Sequence, residues 1–319
     1  MPHAHPARTP RTAPTPLPAD ALTRRSELLR STAEADPRID GVLLYGSWTL
    51  GEADAHSDLD ACLYVREEDV DTFDGREFVG RLAPLKLAYT NMYGILAVVF
   101  DDLMRGEFHV EPTGPGIAEI ATWRGQVHFP RPEAAVLLDR TGHLTAAARD
   151  LATFSPPDPA TTAQQLTDEL ANWTLMLAHI QTRGEMARAH NLLHAVIAPL
   201  QLKLCRLLRG STTHWLTPSR ALETDLPPED VERYATTTAP LAPDALRTAA
   251  ANSWQWSREL AAEAAERWGI RLPLGLHEEI AAALGVRAAT SSSDGDGLAA
   301  HTAGGSVEDA RTAGDECRG

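Results

Sequence analysis

The stretch Tyr45-Gly46-Ser47-Trp48-Thr49-Leu50-Gly51-Glu52-Ala53-Asp54-Ala55-His56-Ser57-Asp58-Leu59-Asp60 decides how this chain is read. It continues the apolar run Val42-Leu43-Leu44, which suits a short buried strand closed by Gly46. A glycine at that point lets the backbone approach a phosphate closely. Ser47 adds a hydroxyl and opens a helical turn whose free N–H groups favour an anion. Leu59 to Val65 reads as the next strand. Strand side chains alternate, so Asp58 and Asp60 share one face while Leu59 turns into the core. Two carboxylates side by side repel each other unless a cation sits between them. Mg2+ fits, because it takes a few carboxylates together with phosphate oxygens and water. An Asp-x-Asp pair alone says little; its weight comes from the Gly46-Ser47 turn before it and Ser57 ahead of the first acid. The bland alternative is an ordinary turn followed by a surface strand with a hydrophilic edge.

Outward from this stretch, the pattern changes once. A helix is expected over residues 20–36, with Leu22, Leu28 and Leu29 on one face. Residues 75–88 read as a second helix. Tyr93 to Phe100 reads as a third strand, Glu107 to Val110 as a fourth after a turn at Arg105-Gly106, and Ala134 to Leu138 as a fifth. This half is α/β with a mixed sheet. After Ser155-Pro156-Pro157-Asp158-Pro159 the period becomes helical, with apolar residues at Leu166, Leu170, Trp173, Leu177 and Ile180. Further helices are expected at 185–209, 228–237, 242–268 and 275–285. The fold class is therefore α+β. A catalytic domain is expected over residues 21–150 and a helical bundle over 158–288, between a disordered tail at 1–20 and a disordered acidic tail at 289–319. His3 and His5 fall in the first tail and read as incidental.

The chain has 319 residues, enough for one large or two ordinary domains, and 43% hydrophobic with 23% charged residues describes a globular protein with a sizeable core. A formal net charge of −15 repels a polyanion, so no nucleic-acid partner is expected. The same charge suits a cationic small molecule, or serves only solubility. Cys62, Cys205 and Cys317 are far apart and in no metal-type spacing, which points to a reducing cytoplasm. No apolar run approaches the roughly 20 residues that span a bilayer, and no secretory signal is evident at the N-terminus, so no membrane association is expected.

Taken together, Gly46-Ser47 after a strand and the acidic-apolar-acidic strand resemble the nucleotidyltransferase superfamily that includes DNA polymerase β and the antibiotic nucleotidyltransferases. Tyr-Gly-Ser-x-Thr-x-Gly-Glu (45–52) and Arg-Gly-Glu-Phe-His (105–109) are similar to the two-domain lincosamide nucleotidyltransferases. In the helical half Asn172-Trp173, Arg183-Gly184-Glu185, Ala187-Arg188 and Tyr234-Ala235-Thr236-Thr237-Thr238-Ala239 continue the likeness, which runs from about residue 25 to 285. The resemblance implies transfer of a nucleoside monophosphate from a nucleoside triphosphate, ATP favoured, to a hydroxyl of a small molecule. It implies Mg2+ on Asp58 and Asp60, nucleotide contacts from Gly46, Ser47, Ser57, Arg183 and Arg188, and a homodimer as a plausible state.

Two departures stand out. Leu50 occupies a loop position where the family carries a basic residue, and the third strand carries no carboxylate. Glu107, at the start of the next strand, then becomes the candidate general base, with a third metal ligand as its other role. Asp101 and Asp102 compete but fall in a turn. His109, two residues on, either orients substrate or is an ordinary half-buried histidine. A lincosamide is the acceptor the resemblance suggests. An aminoglycoside or another metabolite is the alternative within the enzyme class, and a non-catalytic nucleotide-binding regulator or antitoxin-like protein the alternative outside it.

Overall fold

The computed structural model describes residues 20–125 and 127–285. The two expected tails lie outside the described residues, apart from Asp20, as do His3, His5 and Cys317. The first half is built on a six-stranded sheet of order β3-β4-β5-β2-β1-β6. Its strands are β1 (Ile39–Leu44), β2 (Leu59–Val65), β3 (Leu85–Thr90), β4 (Leu96–Phe100), β5 (Arg105–Pro112) and β6 (Val136–Asp139). All neighbours are antiparallel except β2 and β5, which run parallel at the centre. The sheet is mixed, as the sequence implied.

Around it lie α1 (Ala21–Ala35), the single turn α2 (Ser47–Leu50), α3 (Gly75–Gly80), α4 (Thr113–Glu119), α5 (Pro132–Ala135) and α6 (His143–Asp150). Leu22, Leu29, Phe78 and Val79 of α1 and α3 bury against Val42, Leu44, Leu59, Ala61, Leu63 and Phe108 on one face of the sheet. Ile117 of α4 with Leu144 and Ala148 of α6 packs on Leu43, Cys62 and Tyr64 of the opposite face. Alternation along β2 thus sends Leu59, Ala61 and Leu63 to the first layer. It leaves Asp60, Cys62 and Tyr64 on the second.

Several expectations change here. The helix read over 75–88 ends at Gly80, and β3 occupies Leu85–Thr90 instead. Pro84 cannot continue a helix, and Leu85, Leu87 and Tyr89 alternate at strand period. The turn expected at Arg105-Gly106 lies earlier, around Leu103 with its positive φ of 71°, so β5 begins at Arg105. The strand expected from Tyr93 starts at Leu96, because the Asn91 carboxamide accepts from the N–H groups of Tyr93 and Ile95 and holds a turn there. Helices α4 and α6 had no counterpart in the reading of the sequence.

The second half is helical: α7 (Pro159–Thr182), α8 (Met186–Leu192), a π turn (Leu193–Ile197), α9 (Ala198–Arg209), α10 (Leu222–Asp225), α11 (Pro228–Ala235), α12 (Pro243–Trp268) and α13 (Leu274–Ala283). The apolar positions read from α7 do the packing. Leu166, Leu170, Leu177 and Ile180 are buried with Leu204, Leu208, Leu246 and Leu260. Gln201, fully buried, is satisfied by the Ser253 carbonyl (2.7 Å) and by the Ser253 and Ser257 hydroxyls.

One buried charge organises the segment after α9. Arg206 has no exposed surface, and its guanidinium donates to the carbonyls of Pro218, Ser211 and Arg220, the Ser211 hydroxyl and the Asp225 carboxylate (2.8 Å). The fork thereby fastens the whole segment 211–225. Arg206→Met is expected to strand Asp225 and these carbonyls. Breaking such a network costs about 3–5 kcal/mol, which lowers Tm by about 10 °C at this chain size. Thermal denaturation of the full chain checks it; a shift under about 2 °C would contradict this account of the segment.

Candidate active site

The parallel register of β2 and β5 sets Asp60 beside Glu107 and Cys62 beside His109, all on one face. Extending the same register across the sheet gives a row Tyr89–Ala97–Glu107–Asp60, ending at Tyr45, whose N–H donates to the Asp60 carbonyl (3.1 Å). Asp58 precedes β2, and its carboxylate meets Arg105 (3.3 Å). The same guanidinium lies 3.7 Å from Glu107. Three carboxylates and one arginine therefore share the end of two strands.

Gly46 explains why the turn must be glycine. Its φ is +73°, and a Cβ built there would lie 2.5 Å from an Asp60 carboxylate oxygen. The missing side chain makes room for the acid itself as well as for any approaching phosphate. Ser47, nearly buried, starts α2 immediately after it. Ser57 is turned inward to its own loop: its hydroxyl accepts from the N–H of Asp54 and donates to the Asp54 carboxylate.

The carboxylates strain one another. Burial pushes the Asp60 carboxyl up to about 7, the charges of Asp58 and Glu107 add to the rise, and Arg105 opposes it only in part. The sign follows. A folded-state value above the ordinary 3.8 gives stability that is present below about 4, is lost as pH rises through 7, and is flat beyond. Asp60→Asn removes that dependence. In chelator-treated protein the Tm gained by Asp60→Asn is therefore expected to be several degrees larger at pH 8 than at pH 5. A gain independent of pH would contradict the environment described for Asp60.

The helical half meets this site through the segment that Arg206 fastens. A cavity of about 190 Å³ lies between Gly46, Thr49, Leu50 and His128 on one side and His214, Leu216 and Arg220 on the other. His214 is nearly buried and bridges two carboxylates, Asp225 at 2.6 Å and Glu52 at 3.0 Å, while Arg220 holds Glu52 at 2.8 Å. Glu52 sits in the loop between Ser47 and Asp58. Arg220 lines the same cavity as Leu50.

Neither Arg183 nor Arg188 lines the cavity beside Gly46. The segment 211–225 lies by the first turns of α7, where Thr162, Gln165 and Leu166 line a common pocket with Trp215. Arg183 caps the C-terminal end of that 24-residue helix. It is exposed, and Arg188 pairs with Glu185 (3.1 Å). Arg105 and Arg220 do reach the site, and the Arg131 guanidinium lies against Gly51 of the same loop. Reading residue patterns missed the first two, because Arg105 was assigned to a turn and Arg220 lies in a segment with no periodicity. His109 is half-buried and shares a hydrogen bond with the Tyr45 hydroxyl (3.1 Å).

Among the described residues no three His, Cys, Asp or Glu side chains converge as a metal shell. A hard cation that takes one or two carboxylates and completes its shell with substrate oxygens needs no such group. The all-oxygen pair Asp58 and Asp60 is of the donor chemistry that such a cation takes. No helix of the described residues is long and apolar enough to cross a membrane.

Residues 160–282 match the family described as "Lincosamide nucleotidyltransferase-like, C-terminal domain". No curated protein matches the sequence. Among solved structures the chain is similar to an aminoglycoside 6-adenyltransferase from Bacillus subtilis, at 13% identity and a TM-score of 0.38 over 82% of this chain and 97% of that one. It is also similar to a nucleotidyltransferase-like protein from Exiguobacterium sibiricum, at 13% identity and a TM-score of 0.36 over 76% and 77%. The helical half thus matches a lincosamide nucleotidyltransferase-like C-terminal domain, and it is joined to a sheet that sets Asp60 and Glu107 side by side next to the Gly46-Ser47 turn.

Proposed function

We propose that the chain transfers a nucleoside monophosphate, with ATP the favoured donor, to a hydroxyl of a small molecule, and that a lincosamide is the leading acceptor. The observation that carries the reaction is the parallel register placing Glu107 next to Asp60 at the Gly46-Ser47 turn. The family of the helical half supports the acceptor. Asp58 and Asp60 would hold Mg2+, which when bound supplies positive charge to the α-phosphate and to the attacking and leaving oxygens.

The chain's own groups do the rest. The N–H groups that open α2 receive phosphate oxygens where Gly46 leaves the backbone bare. Arg220 meets the triphosphate from the helical side, and Arg105 turns from Asp58 and Glu107 to the phosphates as these arrive. Glu107 accepts the proton of the acceptor hydroxyl as that oxygen attacks the α-phosphorus in line, and pyrophosphate departs. Arg105 and Arg220 take the phosphate-binding part that the resemblance assigned to Arg183 and Arg188.

The test is pyrophosphate release from ATP or GTP with a panel of lincosamide and aminoglycoside acceptors, with the product read by its mass increase. A nucleoside monophosphate added to a lincosamide in a Mg2+-dependent reaction is expected. Addition only to an aminoglycoside would change the acceptor. Nucleotide binding without any product would favour a non-catalytic regulator.

A further inference from the structure

The face that carries the acid row continues into a cavity the reaction does not explain. One register step beyond Asp60 and Glu107 lie Cys62 and His109, and one step further Tyr64 and Glu111. There the sheet, α4 and the turn after it line an open cavity of about 300 Å³, with Tyr45, Tyr64, His109 and Trp123 in its wall together with the half-buried Glu111 and the exposed Glu119. Tyr45 also lines the cavity beside Gly46, so the two spaces meet at one side chain.

Two observations give this cavity a chemistry. Among the described residues neither Glu111 nor Glu119 has a basic side chain within ion-pair distance. The cavity is also not slack packing. At Gly116 helix α4 lies so close that a Cβ would come 2.7 Å from the Cβ of Glu111 and 3.1 Å from the Tyr64 ring. Aromatic faces attract a cation, and carboxylates without a partner bind an ammonium group by charge-assisted hydrogen bonds.

We propose that this cavity is the subsite for a protonated amine of the acceptor, held by Glu111 and Glu119 against Trp123 and Tyr64. The proposal rests on the function proposed above and adds to it an acceptor of defined shape. Four residues of β5 separate Glu107 from Glu111, about 13 Å at 3.3 Å per residue. An acceptor that reaches both carries its basic nitrogen on the order of 10 Å from the hydroxyl that is modified.

The experiment uses the full chain without nucleotide. Benzyltrimethylammonium is titrated against benzyl alcohol, its uncharged control, with calorimetry and tryptophan fluorescence as readouts. The ammonium compound is expected to bind at least tenfold more tightly. The Glu111→Gln/Glu119→Gln variant is expected to lose that preference, and Trp123→Phe to lose the fluorescence change. In turnover the double glutamine variant is expected to raise KM at least tenfold for acceptors bearing a basic nitrogen, with kcat little changed. Equal binding of the two probes, or full preference surviving in the double variant, overturns the proposal. Preference intact with no nucleotidyl product from any acceptor would count against the proposed reaction, and transfer intact with no preference would count against the amine subsite alone.

Discussion

Asp60→Asn and Asp58→Asn are each expected to lower kcat about a thousandfold, a loss of about 4 kcal/mol of transition-state stabilisation. Both acids sit at the start of β2, beside a turn whose Gly46 has no side chain because the Asp60 carboxylate occupies that space. An amide keeps the shape and removes the charge that would hold Mg2+. The two variants should differ in one respect. Asp58→Asn releases Arg105 from its nearer partner, whereas Asp60→Asn relieves a buried acid and leaves the metal-free protein no less stable at pH 8. Steady-state pyrophosphate release with melting curves on the same preparations decides the matter. Turnover near that of the wild type in either folded variant would remove the acid pair from the mechanism.

Glu107→Gln is expected to lower kcat by roughly a hundredfold to ten-thousandfold, the range for losing a general base, with nucleotide Kd little changed. The register leaves Glu107 between Asp60 on one strand and Ala97 on the other, so it stands between the nucleotide side and the open edge of the sheet. Asp101→Asn and Asp102→Asn should be mild. Asp102 is committed to Arg25 (2.8 Å) and to the Met104 N–H, and Asp101 lies with it in the turn before β5. The measurement is kcat and nucleotide Kd for all three variants on one acceptor. If Glu107→Gln weakens only nucleotide binding, Glu107 is a third metal ligand; if it keeps full kcat while an aspartate variant loses it, the base lies in the turn.

Much of this site could be read along the chain because it is local. Strand β2 runs Leu59–Val65 as the alternation required, and Gly46, Ser47, Asp58 and Asp60 lie within fifteen residues of one another. The apolar spacing of α7 gave its buried side for the same reason. What escaped reading is non-local or short. Strand β3 was masked by apolar spacing that also fits a helix, although Pro84 forbids one. Helix α4, seven residues long, has two glycines and a proline, which read as loop. The partnership of Glu52 with His214 spans 162 residues, and no periodicity signals it. Arg183 and Arg188 entered only through resemblance, and neither lines the cavity beside Gly46.

The contact at Glu52 bears on how such chains can be recombined. A loop flanked by Ser47 on one side and Asp58 on the other is pinned by two side chains of the opposite half, and those are held in turn by Asp225 and Arg206. The halves are therefore not interchangeable modules. A chimera that grafts a helical half lacking the His214–Arg220–Asp225 set would inherit every strand acid intact, yet would leave the loop between them untethered. Shuffling of acceptor preference by exchange of halves is accordingly confined to partners that preserve this clasp, or that supply another for the same glutamate.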